Sequence, residues 1–89
     1  MLKIYYLVCE GVIHLPLSEK GTLRNRIPVL RAERNLSQKE VANGVGVSRQ
    51  TIISLEKNRY NPSLKLAFDL SIFFGVDLHD VFQYEREEN

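Results

Sequence analysis

The stretch SQKEVANGVGVSRQTIISLEKNR, residues 37–59, decides the fold. It reads as two short helices joined by a tight turn, because each helix carries its own start signal. Ser37 with Glu40 three residues on makes a capping box, in which hydroxyl and carboxylate each satisfy an orphan amide. Ser48 can cap a second helix through the amides near Thr51. Between them, Gly46 supplies the positive φ that ends the first helix, and Val47 is the apolar residue that pins the turn to a core. Such a pair holds its second helix clear of the domain, where it can enter a DNA major groove about 12 Å wide.

SQKEVANGVGVSRQTIISLEKNRYNPSL resembles the helix-turn-helix of the phage-repressor family (Cro and lambda-repressor, Xre-type), and the likeness extends over residues 25–84. It implies an all-α fold: the five-helix, lambda-repressor-like DNA-binding domain of the small stand-alone members, with a short C-terminal strand. NRIPVLRAERN would be the first helix, PSLKLAFDLSIFFGV the fourth, and DLHDVFQYE the fifth plus the strand. Two residues depart from the pattern. Gly44 stands where the family carries a good helix former, and glycine inside a helix costs about 1 kcal/mol relative to alanine, so the second helix should lean on its neighbours. Asn58 stands where glycine is common, and asparagine tolerates the left-handed conformation nearly as well. The resemblance further implies that Glu56 pairs with an arginine of the first helix, Arg31 being the first choice.

Length and charge narrow the function. Eighty-nine residues allow one domain with a modest core, too small for a doubly wound sheet or a cofactor-binding barrel. The single cysteine, Cys9, cannot form an internal disulfide, and His14 and His79 are too far apart in sequence to suggest a metal cluster. No apolar run reaches the roughly 18 residues of a membrane span, so a cytoplasmic protein with no membrane partner is expected. The net charge of +1 is unevenly spread: residues 23–84 carry nine Lys/Arg against six Asp/Glu, and residues 85–89 one against three. The basic excess therefore sits in the helical region, where it suits phosphate contact.

Three readings stand for residues 1–22: a strand or hairpin built on LKIYYLV, a loose tail, or a mis-annotated start ahead of Leu23, where chains of the resembling family usually begin. Residues 23–85 form the DNA-binding domain in this reading, and residues 86–89 an acidic tail. The first helix should begin with Asn25 as N-cap and Pro28 in its first turn, burying Ile27, Leu30 and Val29, with Arg31, Glu33 and Arg34 facing water. Asn61 or Ser63 caps the fourth helix, which runs to Phe74 before Gly75 and turns Leu64, Ala67, Leu70 and Phe74 to the core. Asp77 caps the fifth, whose Leu78, Val81 and Phe82 fill the core. Residues 82–85 alternate as an edge strand, whose partner is either LKIYYLV or another copy of the chain.

Arg49, Gln50, Ile53 and Ser54 project together from the start of the third helix and are the expected base contacts. Arg49 can donate twice to guanine, Gln50 can bond adenine twice, and Ile53 can pack on a thymine methyl. The plain alternative is that any surface helix displays such residues, and that Ile53 is partly buried. Gln38, Thr51, Lys57, Arg59, Tyr60 and Asn61 form the expected phosphate rim. Asp77, His79 and Asp80 do not make a convincing acid/base set, since acids are favoured in a helix's first turn anyway. The expectation is thus a transcriptional regulator, a repressor occupying an inverted-repeat operator on double-stranded DNA, with no catalysis, cofactor or small-molecule ligand. A homodimer through Phe73, Val81, Phe82 and Tyr84 completes it. The competing reading is an antitoxin-like or adaptor module that tethers a protein partner to DNA.

Overall fold

The computed structural model describes residues 21–59 and 61–86, which form one strand, five helices and a closing strand. The helices are α1 (Ile27–Arg34), α2 (Gln38–Val45), α3 (Arg49–Glu56), α4 (Leu64–Phe74) and α5 (Leu78–Val81). Strands β1 (Gly21–Asn25) and β2 (Phe82–Arg86) pair antiparallel, with Leu23 opposite Tyr84 and Asn25 opposite Phe82. The chain is therefore mostly helical with a two-stranded sheet, rather than all-α. The strand expected over residues 82–85 is present; LKIYYLV lies outside the described residues, and among them β2 has a partner that the sequence did not suggest. It is the segment directly before α1, so Gly21 and Thr22 belong to the fold together with residues 23–86.

Local signals end most helices where the sequence places them. Ser37 Oγ accepts from Glu40 N at 3.0 Å while Glu40 Oε1 accepts from Ser37 N at 2.8 Å, completing the capping box. Ser48 Oγ accepts from Thr51 N at 3.1 Å, and Ser63, not Asn61, caps α4 through Leu66 N at 3.1 Å. Gly46 and Gly75 close α2 and α4 with φ of 76° and 72°. Asn58 has φ 57°, the conformation expected for it. The start of α1 differs by one residue. Arg26 is the N-cap, and Asn25 Oδ1 instead accepts from Ile27 N at 3.0 Å, leaving Asn25 free to serve as the last residue of β1.

One core joins all five helices. Ile27 and Leu30 of α1, Val41 and Ala42 of α2, Ile52 and Leu55 of α3, and Leu70 and Phe74 of α4 are buried, with Val81 and Phe82 closing the end. Val81 and Phe82 thus lie in the monomer's own core, which removes them from the expected dimer contact. Three further expectations change. Leu66 takes the core position assigned to Leu64, which is 69% exposed, and Val29 faces out. Arg31 and Arg34 are half-buried rather than wet: Arg34 donates through Nη2 to the Phe74 carbonyl at 3.0 Å and lies over the Phe74 ring, tying α1 to the negative end of α4.

Gly44 has a tertiary explanation. A β-carbon there would collide with the edge of the Phe73 ring at Cε1, so the glycine that weakens α2 is the surface on which a residue of α4 rests. The same relation holds across the sheet, where the Tyr84 ring occupies the space of a Gly21 side chain.

Candidate nucleic-acid interface

The turn from α2 to α3 fixes how α3 is presented. Ile52 and Leu55 are buried against the core, which leaves the opposite face of α3 outward. Arg49 and Gln50 are exposed at its first turn, and Ile53 and Ser54 are half-buried one turn on. Four expected base contacts therefore share one face of one helix, with the two polar readers the most accessible. Ile53 is partly covered, as the alternative reading of it allowed.

A hydrogen-bonded chain beneath that face locks α3 to α1 and α2. Arg31 Nε donates to Glu56 Oε2 at 2.6 Å and its Nη2 to Oε1 at 3.1 Å, the two-pronged geometry in which arginine binds a carboxylate most firmly. Arg31 Nη1 also donates to the Leu36 carbonyl at 3.1 Å, and Gln38 Nε2 donates to Glu56 Oε1 at 2.9 Å. At the outer end Arg49 Nη2 reaches Gln38 Oε1 at 3.4 Å. Glu56 is thereby the shared acceptor of α1 and α2, while Gln38 lies between it and Arg49. The bond to Glu56, partly opposed by desolvation and helped by the carboxylate's charge, raises the Arg31 pKa above its ordinary value. Stability from a raised pKa is fully present below the unfolded value and is lost only as pH rises through the folded one. For a guanidinium that window is strongly alkaline, so its contribution is constant across neutral pH.

Neutralising Glu56 shapes the surface charge. With that carboxylate paired to Arg31, the exposed Arg49, Lys57 and Arg59 leave α3 and the following loop positive, and none of the three forms an ion pair among the described residues. Asn61 is exposed on the same loop; Tyr60, another expected phosphate contact, lies outside the described residues. Thr51 is half-buried, and its hydroxyl meets Ser48 Oγ at 2.9 Å as part of the α3 cap. Gln38 is half-buried at the first turn of α2, beside amides that a capped helix start aims outward.

Asn25 is the residue that sequence reasoning missed here. Its Nδ2 donates to the Leu55 carbonyl at 2.9 Å and to Asn58 Oδ1 at 3.0 Å, with the Glu56 carbonyl at 3.4 Å. One side chain so joins the end of β1, the start of α1 and the last turn of α3. Only its place before a proline-containing helix start was legible, and that pointed to a cap rather than a clamp.

Two capped helices about a glycine turn, the second standing out with a polar, positive face, define a helix-turn-helix DNA-binding domain. The chain belongs to the helix-turn-helix family, whose model matches residues 29–81. It is 52% identical over 66 residues to an uncharacterised HTH-type transcriptional regulator of Methanocaldococcus jannaschii, covering 74% of this chain and 100% of that protein. The cryptic phage CTXphi transcriptional repressor RstR of Vibrio cholerae is 40% identical over 57 residues, spanning 64% of this chain and 51% of RstR. The immunity repressor of Bacillus phage phi105 is 42% identical over 57 residues, 64% of this chain and 40% of that protein. Among solved structures the transcriptional regulator VanUg shares the fold, with a TM-score of 0.66 at 24% identity over 89% of this chain and 100% of that one.

Proposed function

We propose that this protein is a sequence-specific DNA-binding transcriptional regulator that acts as a cytoplasmic repressor, binding an inverted-repeat operator as a homodimer and occluding polymerase. The observation that carries the reading is the exposed first turn of α3, where Arg49 and Gln50 stand side by side on a helix clamped from behind by Glu56 and Asn25. Similarity to the two phage repressors supports repression. In this reading Arg49 and Gln50 read base edges, and Ile53 and Ser54 pack beside them. Gln38, Thr51, Lys57, Arg59, Tyr60 and Asn61 hold the phosphates on either side. A module of this size covers only about 600–1,000 Å² of DNA-facing surface, which is little for specificity and favours two copies on successive half-sites.

Selection of bound fragments from the native genome with the full chain, followed by footprinting, tests the reading. A palindromic footprint is expected, with Arg49→Ala or Gln50→Ala weakening it by about 1–3 kcal/mol while random DNA is bound as before. Equal losses on operator and random DNA would remove these side chains as readers.

A further inference from the structure

Leu64, Phe68 and Ile72 stand at i, i+4 and i+8 of α4 and are 69%, 47% and 74% exposed. At 100° per residue they fall within one sector about 80° wide, beside the sector that carries the buried Ala67 and Ser71. Leu64 also lines, with Leu23, Pro62, Ala67, Leu78 and Phe82, an apolar cavity of about 250 Å³. The stripe therefore runs on into a hollow between α4, α5 and β1. We infer that a second copy of this chain packs on that stripe, with α4 against α4 about a two-fold axis near Phe68.

Three observations select this occupant. A two-fold axis at Phe68 sets Leu64 of one copy against Ile72 of the other, so a row with this spacing is complementary to itself. Lys65 and Asp69 are the only charged residues of α4 and bridge each other at 2.7 Å, so two copies of the face meet without net repulsion and offer nothing to a charged partner. The stripe supplies part of the area a dimer needs. Half of Phe68 offers about 100 Å², and the exposed parts of Leu64 and Ile72 bring the stripe to roughly 250 Å² per copy. That is about a third of the roughly 800 Å² each partner contributes to a stable interface, which leaves the remainder to a polar rim. Of the other exposed aromatics, Phe73 is better covered than Phe68 and rests on Gly44, while Tyr84 lies against Gly21 in the sheet, off the α4 stripe.

The inference rests on the homodimer reading above, and the two can fail separately. Sedimentation of the full chain at micromolar concentration, without DNA, should show a dimer. Phe68→Glu or Ile72→Glu should loosen it at least about a hundredfold, because each copy would bury an unpaired carboxylate in the contact. Ile72 is 74% exposed in the monomer, so Ile72→Glu should leave the far-UV circular dichroism and melting of the dissociated chain intact. A dimer that survives both substitutions overturns the stripe and leaves the homodimer standing. A wild-type chain that sediments as a monomer and still footprints a palindrome overturns the preformed contact on α4.

Discussion

Replacing Arg31 with leucine should strike at the clamp behind α3. The Glu56 side chain is only 8% exposed and takes two of its three side-chain hydrogen bonds from Arg31, the third coming from Gln38. Removing one partner of a buried ion pair costs about 3–5 kcal/mol, since the remaining charge is neither paired nor solvated. Arg31 is 21% exposed, so water can enter part of the vacated space and the expected loss falls to about 2–4 kcal/mol. For a domain of this size that lowers the melting temperature by on the order of 10–30 °C. Urea unfolding of Arg31→Leu, Glu56→Leu and the double variant measures it. Exchanging both partners for apolar side chains leaves no buried charge, so the double variant should be more stable than the two single losses added, by at least about 1 kcal/mol. A single substitution costing under about 0.5 kcal/mol, or strict additivity, would refute the view that Glu56 organises the recognition helix.

Asn25→Ala should cost about 2 kcal/mol, one for each part-buried bond lost to Leu55 and Ile27, the bond to Asn58 being exposed to water, and should raise amide exchange first in the last turn of α3. Gly44→Ala gains about 1 kcal/mol of helix propensity but drives the Phe73 ring off its seat at an overpacking cost of about 2 kcal/mol, so a net loss of about 1 kcal/mol is expected on thermal unfolding; a stabilised variant would show the ring to be idle there. Lys57→Ala or Arg59→Ala should weaken operator and random DNA alike and lower the salt slope of log K by about one unit each. An unchanged slope would take that residue off the phosphate backbone.

Much of this molecule is written in short-range chemistry. Ser37 with Glu40, Ser48, Ser63, Gly46 and Gly75 act within four residues of themselves, so helix ends and the turn between α2 and α3 could be read directly. The outward set on α3 followed from the same periodicity, because its buried complement, Ile52 and Leu55, left one face over. Family resemblance supplied the Arg31–Glu56 pair, which no local pattern indicates across 25 positions of sequence. Tertiary structure alone decided the rest. Which of two adjacent apolar sectors of α4 enters the core depends on where α2 and α5 lie, so Leu66 went in and Leu64 stayed out. The partner of β2 could not be inferred from β-propensity: the polar GTLRN pairs with it because the chain must pass beside β2 to start α1, where Arg26 N donates to the Val81 carbonyl at 2.8 Å. Gly44 looked like a weakness of α2 until the ring of Phe73, 29 residues away, was found resting on it.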